Sequence, residues 1–294
     1  MKTTRRSALR LLTASAAFPV GAAAGEESRR RERAFPIGAC DWSLKKKQDI
    51  GAFEVAKEIG LEGLQVSFSQ PGSDFDLRDK GVRERYFEQV EQTGIRLASL
   101  GMGVLNQMPL ASHPESITWV SDAIDVMARM KEEAPEHATD ICLLAFFGKG
   151  DINGKPELME AVINKLKGVA PKAEEHGVIL GIESYLSADD HLKIIEGVGS
   201  EAIQVYYDTA NSNRMGYDIY REVVQLGGAR ICQIHCKENG ALLGAGKIDF
   251  DKFKTRLDEI GYRDWLIIEG AMPKGADLVE SYRKNFSVLD RTFR

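Results

Sequence analysis

Sulfur and imidazole are scarce in this chain, which has four cysteines and five histidines in 294 residues. Cys40, Cys142, Cys232 and Cys236 are spaced like neither a zinc finger nor a CxxC redox pair. Cys232 and Cys236 are expected as buried small apolar groups, the usual fate of free cysteine, with a disulfide as the lesser alternative. Positive charge is in deficit too. Lys and Arg number 39 against 44 Asp and Glu, a formal net charge of −5. That argues against nucleic acid as the main partner, because phosphate binding wants a basic surface. No GxGxxG follows the first strand-like run, so an open dinucleotide-binding sheet lacks support. No strongly apolar run of about 20 residues occurs, so stable membrane insertion is not expected.

The first 25 residues, MKTTRRSALRLLTASAAFPVGAAAG, join a basic start to a short alanine-rich stretch. Ala22-Ala23-Ala24 meets the small-x-small pattern of signal-peptide cleavage. Arg5-Arg6-Ser7 followed by Leu9 resembles a twin-arginine export signal. An amphipathic N-terminal helix or a misassigned start is the alternative. Residues 1–24 are therefore read as a signal peptide, 25–34 as a charged tether and 35–294 as the catalytic domain. Export to the periplasm is the expectation. Loss of Lys2, Arg5, Arg6 and Arg10 takes the formal charge from −5 to −9.

From Phe35 onward, β-rich runs alternate with helical patterns. The runs span 35–42, 63–68, 95–102, 139–147, 178–184, 203–210, 229–238 and 264–270. Between them lie segments with apolar residues at helical spacing, such as AFEVAKEIG, YFEQVEQTG, LMEAVINKLKGVAPKAEEHG and DFDKFKTRLDEIGY. Several close on a glycine suited to a left-handed helix cap: Gly60, Gly94, Gly177 and Gly261. Eight such alternations predict an α/β fold, a (β/α)8 TIM barrel. Side chains alternate across a strand. In the fifth run Ile179, Gly181 and Glu183 share a face; in the seventh Ile231, Gln233 and His235 do. Cys232 and Cys236 have the opposite parity to His235, so both thiols are expected against the surrounding helices.

Four chelating side chains end four successive runs: Glu183, Asp208, His235 and Glu269, separated by 25, 27 and 34 residues. Each interval is about one strand plus one helix, and the carboxyl ends of barrel strands are where catalytic groups gather. Three carboxylates and one imidazole make an oxygen-rich set. It suits Mn²⁺ or Mg²⁺ better than a structural zinc. Such a cation polarises a carbonyl, and the neighbouring C–H becomes acidic enough for a carboxylate to remove its proton. Glu183 and Glu269 are the catalytic candidates, because their strands flank those of Asp208 and His235. Two carboxylates on opposite faces of an enediolate give epimerisation. Proton return to the adjacent carbon gives isomerisation, and loss of a β-leaving group gives elimination.

The runs IESYLS, YYDTANSN, QIHCKENGALLGAGKIDFDKF and GYRDWLIIEG together resemble the sugar-phosphate isomerase/epimerase family of xylose isomerase-like barrels. The resemblance covers nearly all of 35–294 and is sharpest from 178 to 270. It implies that Glu183, Asp208, His235 and Glu269 coordinate a divalent metal, Mn²⁺ foremost, with Mg²⁺, Co²⁺ or Zn²⁺ as alternatives. Barrels of this family often form homo-oligomers. Two positions depart from its ketose epimerases. A substrate-contacting histidine is replaced by Asn211, and an arginine in the loop after His235 is missing from Glu238-Asn239-Gly240-Ala241. The resemblance therefore reaches the family and stops short of free ketose 3-epimerisation.

Further substrate-binding candidates are Lys237, Asn211, Trp42 and His113. Lys237 shares the parity of His235, with a snorkelling surface lysine as its alternative. Trp42 offers a sugar platform or core packing, and His113 a substrate contact or a place at the start of a helix beside Pro114. Phe146 and Phe147 read as part packing, part pocket wall. Asp189 and Asp190 are expected to cap the following helix. His137, His176 and His191 are expected at the surface. The leading expectation is a metal-dependent isomerase or epimerase of a small keto-sugar or polyol. A lyase or glycoside-cleaving enzyme on 3-keto-sugars is second, favoured by the export signal, and a non-catalytic sugar-binding barrel third. Endonuclease IV-like enzymes resemble the same barrel, but their histidine-rich sites are not matched here.

Overall fold

The computed structural model describes residues 34–294, so the expected signal peptide and nearly all of the tether lie outside the described residues. Phe35–Arg294 form one compact unit. Eight parallel strands close into a barrel in chain order: β1 (Ile37–Cys40), β2 (Gly63–Ser67), β3 (Arg96–Met102), β4 (Ile141–Phe146), β5 (Ile179–Ser184), β6 (Ile203–Asp208), β7 (Ile231–Cys236) and β8 (Leu266–Ile268). Each strand is shorter than its β-rich run in the sequence, because the run ends turn into loops that leave the sheet. Among the described residues the α-helices are α1 (Ala52–Ile59), α2 (Lys80–Thr93), α3 (Ser116–Glu133), α4 (Pro156–Glu175), α5 (Ala188–Val198), α6 (Thr209–Arg214), α7 (Ile219–Leu226), α8 (Phe250–Glu259) and α9 (Leu278–Phe293).

The glycine stops act as expected. Gly60 and Gly94 end α1 and α2 at φ 93° and 74°, the left-handed region open to glycine at no steric cost. The N-cap of α5 corrects an expectation. Ser187, not Asp189 or Asp190, caps the helix by accepting from Asp190 N, and the two aspartates occupy its first turn. There they still complement the helix dipole.

Polar side chains cross the barrel interior. Gln233 on β7 donates to Ala98 O on β3 at 2.7 Å and accepts from Tyr206 Oη at 2.8 Å. All four cysteines are free and buried. Cys232, however, departs from the parity expectation. The β6–β7 register skips from Val205↔Ile231 to Tyr206↔Gln233, so Cys232 is an extra residue in β7. Such a bulge rotates the side chain. Cys232 accordingly joins Ile141, Leu143, Ala145 and Tyr206 instead of facing the helices. Gly181 makes room for it, since a Cβ there would stand 2.6 Å from Cys232 Sγ.

Candidate functional site

The barrel register delivers the four chelating side chains to one place. Asp208 ends β6 and is the direct ladder partner of His235, which, like Glu183 in β5, is one residue short of the end of its strand. Glu269 lies just beyond β8, where its backbone N–H continues the ladder to Cys236 O at 3.2 Å. One ligand atom from each residue lies within 4.8 Å of all the others. His235 Nδ1 is 3.0 Å from Glu183 Oε1, 3.8 Å from Glu269 Oε2 and 3.9 Å from Asp208 Oδ2. Glu183, Asp208 and His235 are buried, and Glu269 is partly exposed at the mouth.

Such crowding of carboxylates needs positive charge. Burial pushes Asp208 up, to about 7, against the pull of Lys237, and the charges of Glu183 and Glu269 push the same way. Burial also acts to raise Glu269, but His235 and Lys237 outweigh it and hold that carboxyl down at about 2. Burial disfavours the charged form of His235, yet Glu183, Glu269 and Asp208 together raise its pKa. Lys237 behaves likewise, raised by Asp208 and Glu269 against its own burial.

The donor set fits a hard divalent cation. Its atoms converge, three of the four residues are carboxylates, and buried Asp208 Oδ2 has no hydrogen-bond partner among the described residues. A buried acceptor left unpaired is costly unless something binds it. Glu183, Asp208, His235 and Glu269 could therefore hold such an ion.

The candidates around this cluster divide clearly. Lys237 Nζ donates to Glu269 Oε2 at 2.6 Å and lies 3.8 Å from Asp208 Oδ2, so it belongs to the cluster and is no snorkelling lysine. Trp42 Nε1 donates to Glu269 Oε1 at 3.0 Å. Its ring occupies the space over Gly101, where a Cβ would stand 2.9 Å from it. Asn211 braces two cluster members: its backbone N–H donates to Asp208 Oδ1 at 2.7 Å and its side-chain amide to Glu183 Oε1 at 3.4 Å. Thr209 Oγ1 accepts from Lys237 N at 3.1 Å and ties the start of α6 to the segment after β7. Glu238 folds back to accept from the backbone N–H of Lys247 and Ile248, and its carboxylate leaves Gly246 no room for a Cβ. The loop of residues 244–249 is thereby packed against Glu238, the residue after Lys237.

His113 takes the second of its two expected places, at the start of a helix, and not that of a substrate contact. Its Nδ1 accepts from Glu115 N at 3.3 Å and its ring lies 5.3 Å from Trp119, so it organises the start of α3. His191, expected at the surface, is buried. Its Nδ1 faces Ser187 O and its Nε2 faces Ser184 Oγ, both at 3.0 Å. Its helical context hid this, because the face it occupies turns toward the strand end carrying Glu183. Phe146 is core, whereas Phe147 is half-buried and meets Tyr185 edge-on at 4.7 Å. Reading the sequence missed Gln65 and Cys40, which reach His235 from β2 and β1. The available signal was a glutamine between two apolar residues, Leu64 and Val66, in the β-rich run GLQVSF.

A profile of the xylose isomerase-like TIM barrels matches residues 53–292, and the chain belongs to that family. It is similar to the 2-epi-5-epi-valiolone 7-phosphate 2-epimerase of Actinoplanes sp., with 25% identity over 217 residues, 72% of this chain and 77% of that protein. Among solved structures, the D-psicose 3-epimerase of Clostridium cellulolyticum H10 with D-tagatose matches at a TM-score of 0.71 and 17% identity, covering 88% of this chain and 100% of that one. The apo 3-keto-D-glucoside 4-epimerase of E. coli matches at a TM-score of 0.69 and 15% identity, covering 87% and 99%. At these identities the two structures share the fold.

Proposed function

We propose that this protein is a divalent-metal-dependent epimerase or isomerase of a keto-sugar or related polyol, exported to the periplasm and acting through an enediolate. The observation that carries this reading is the convergence of Glu183, Asp208, His235 and Glu269 within 4.8 Å. The epimerase named in Actinoplanes sp. supports the reaction class. Mn²⁺ is the leading metal on the hardness of the donors, with Mg²⁺, Co²⁺ or Zn²⁺ as alternatives. When bound, the cation supplies Lewis acidity to the substrate carbonyl.

The protein's own groups account for the rest. Glu183 and Glu269 stand on opposite sides of Asp208 and His235 in the barrel order, so a planar substrate between them has a carboxylate near either face. One removes the proton alpha to the carbonyl and the other, protonated, returns one from the opposite face. Lys237 neutralises Glu269 at rest and offers an ammonium to the oxygen on which charge develops. Trp42 holds Glu269 in its rotamer and presents an apolar ring beside it.

A second reading, a lyase or glycoside-cleaving enzyme on 3-keto-sugars, rests on the same proton abstraction followed by loss of a β-substituent. The expected export signal favours it, since phosphorylated sugars are scarce outside the cytoplasm. The first test is metal content of the purified protein beside its His235→Ala variant. Near-stoichiometric Mn, Co, Zn or Mg in the wild type and its loss in the variant support the metal centre. A wild type that neither carries nor takes up these ions overturns it and leaves a sugar-binding barrel.

A further inference from the structure

Gln65 is fully buried in β2, on the opposite side of the barrel from β6 and β7. Its Oε1 lies 2.8 Å from His235 Nε2 and 3.3 Å from Cys40 Sγ. A carbonyl oxygen can only accept, and it has two lone pairs. Two donors therefore suit it: the Nε2–H of His235 and the thiol of Cys40. A neutral imidazole carries a hydrogen on one nitrogen only. If Nε2 carries it, Nδ1 presents its lone pair. That nitrogen is the one facing Glu183, Glu269 and Asp208 at 3.0, 3.8 and 3.9 Å.

The reverse amide orientation would set the NH₂ group of Gln65 against Nε2. It would then demand a lone pair there and a hydrogen on Nδ1, turned into the carboxylates. It would also deprive the Cys40 thiol of its carbonyl acceptor. The orientation in the structure satisfies both donors. Its cost is one unpaired group, Gln65 Nε2, which has no hydrogen-bond partner among the described residues. A buried amide held at that cost, between the apolar Leu64 and Val66, argues for a specific task.

We propose that Gln65, seconded by Cys40, is a positioning residue that fixes the ring of His235 with Nδ1 as its cation-ligating nitrogen. The proposal rests on the metal-centre reading above. Ligating histidines commonly donate their second ring N–H to an acceptor that sets tautomer and orientation, and losing that acceptor typically costs 10- to 100-fold in affinity. Here the acceptor is supplied by a strand five places earlier in chain order, so β2 participates in a site whose ligands all come from β5 to β8.

The test is Co²⁺ affinity by titration calorimetry on metal-stripped protein, with the cobalt d–d absorption spectrum as a second readout. Wild type, Gln65→Met and Gln65→Glu are compared, each checked for its fold by circular dichroism. The methionine variant keeps the volume and removes the acceptor; the glutamate variant keeps an acceptor. The expected result is about 10- to 100-fold weaker binding and an altered d–d band for Gln65→Met, with recovery of most of the affinity in Gln65→Glu. Should Gln65→Met fail to fold, Gln65→Asn, whose shorter arm withdraws the carbonyl, is expected to show the same loss. Wild-type protein that binds Co²⁺ while a folded Gln65→Met or Gln65→Asn binds it equally well overturns the role of Gln65 and leaves the metal centre standing. Wild-type protein that takes up no Co²⁺ overturns the metal centre and this inference with it.

Discussion

Trp42 donates its indole N–H to Glu269 Oε1 at 3.0 Å, while Oε2 of the same carboxylate accepts from Lys237 at 2.6 Å. Both oxygens are thus spoken for from opposite sides, and the carboxylate has one orientation at the mouth of the barrel. A hydrogen bond to a charged group is worth about 1.5–3 kcal/mol, or roughly ten- to a hundredfold in a rate if it acts on the transition state. Trp42→Phe, which removes the donor and keeps an aromatic ring, is expected to lower kcat by at least about tenfold. Steady-state kinetics on an accepted substrate check this. Unchanged kcat would mean that Lys237 alone orients Glu269.

The ring of Trp42 in turn depends on a glycine. A Cβ on Gly101 would stand 2.9 Å from the indole, closer than side chains tolerate. Gly101→Ala is expected to destabilise the fold by about 1–3 kcal/mol through overpacking and to reproduce the kinetic defect of Trp42→Phe. Urea unfolding and kinetics on the same sample measure both. A variant with wild-type kinetics would show that the indole can shift without consequence.

Much of this arrangement could be read from residue order. Each β-rich run contains one observed strand, because period-two patterns and glycine stops are local signals. The chelating set was also legible, since Glu183, Asp208, His235 and Glu269 each sit at or next to the end of an apolar run. What local pattern could not show is contact across the barrel. Gln65 and Cys40 reach His235 from strands 170 and 195 residues earlier. Cys232 lies on the face opposite to the one its parity implies, because a single extra residue in β7 inverts parity and no local residue announces the bulge. The expectation of an exposed His191 fails because the face of α5 that carries it is buried against the end of β5.

His191 also gives the fold a pH dependence. Burial lowers its pKa from 6.5 to about 4, although Ser187 O and Asp190 act the other way. The neutral ring donates through Nδ1 to Ser187 O and accepts from Ser184 Oγ, which itself accepts from Leu186 N. A depressed histidine pKa means that the unfolded chain takes up the proton first as pH falls. This contribution to stability is therefore complete above about 6.5 and is lost between there and about 4, on the order of 3 kcal/mol in all. Urea-unfolding free energies at high and low pH should show a smaller acid loss for His191→Leu than for the wild type. Equal acid losses in the two proteins would contradict the assignment.

Export is open to a separate check. Replacing Arg5 and Arg6 together by lysine is expected to leave the full-length protein in the cytoplasmic fraction of a bacterium with a twin-arginine pathway, while the wild type reaches the periplasm. Identical fractionation of the two would dismiss the signal without touching the barrel chemistry.

The measurement closest to the central claim is incorporation of solvent deuterium at the carbon alpha to the carbonyl. The metal-loaded protein is incubated in D₂O with a panel of keto-sugars and 3-keto-glucosides and followed by NMR, beside Glu183→Gln and Glu269→Gln. The account predicts deuterium at a single carbon with the wild type, and a fall of about 10²–10⁴-fold in each variant, the usual worth of a positioned acid or base. Turnover of a panel member without deuterium incorporation, or exchange undiminished in the two variants, would contradict it.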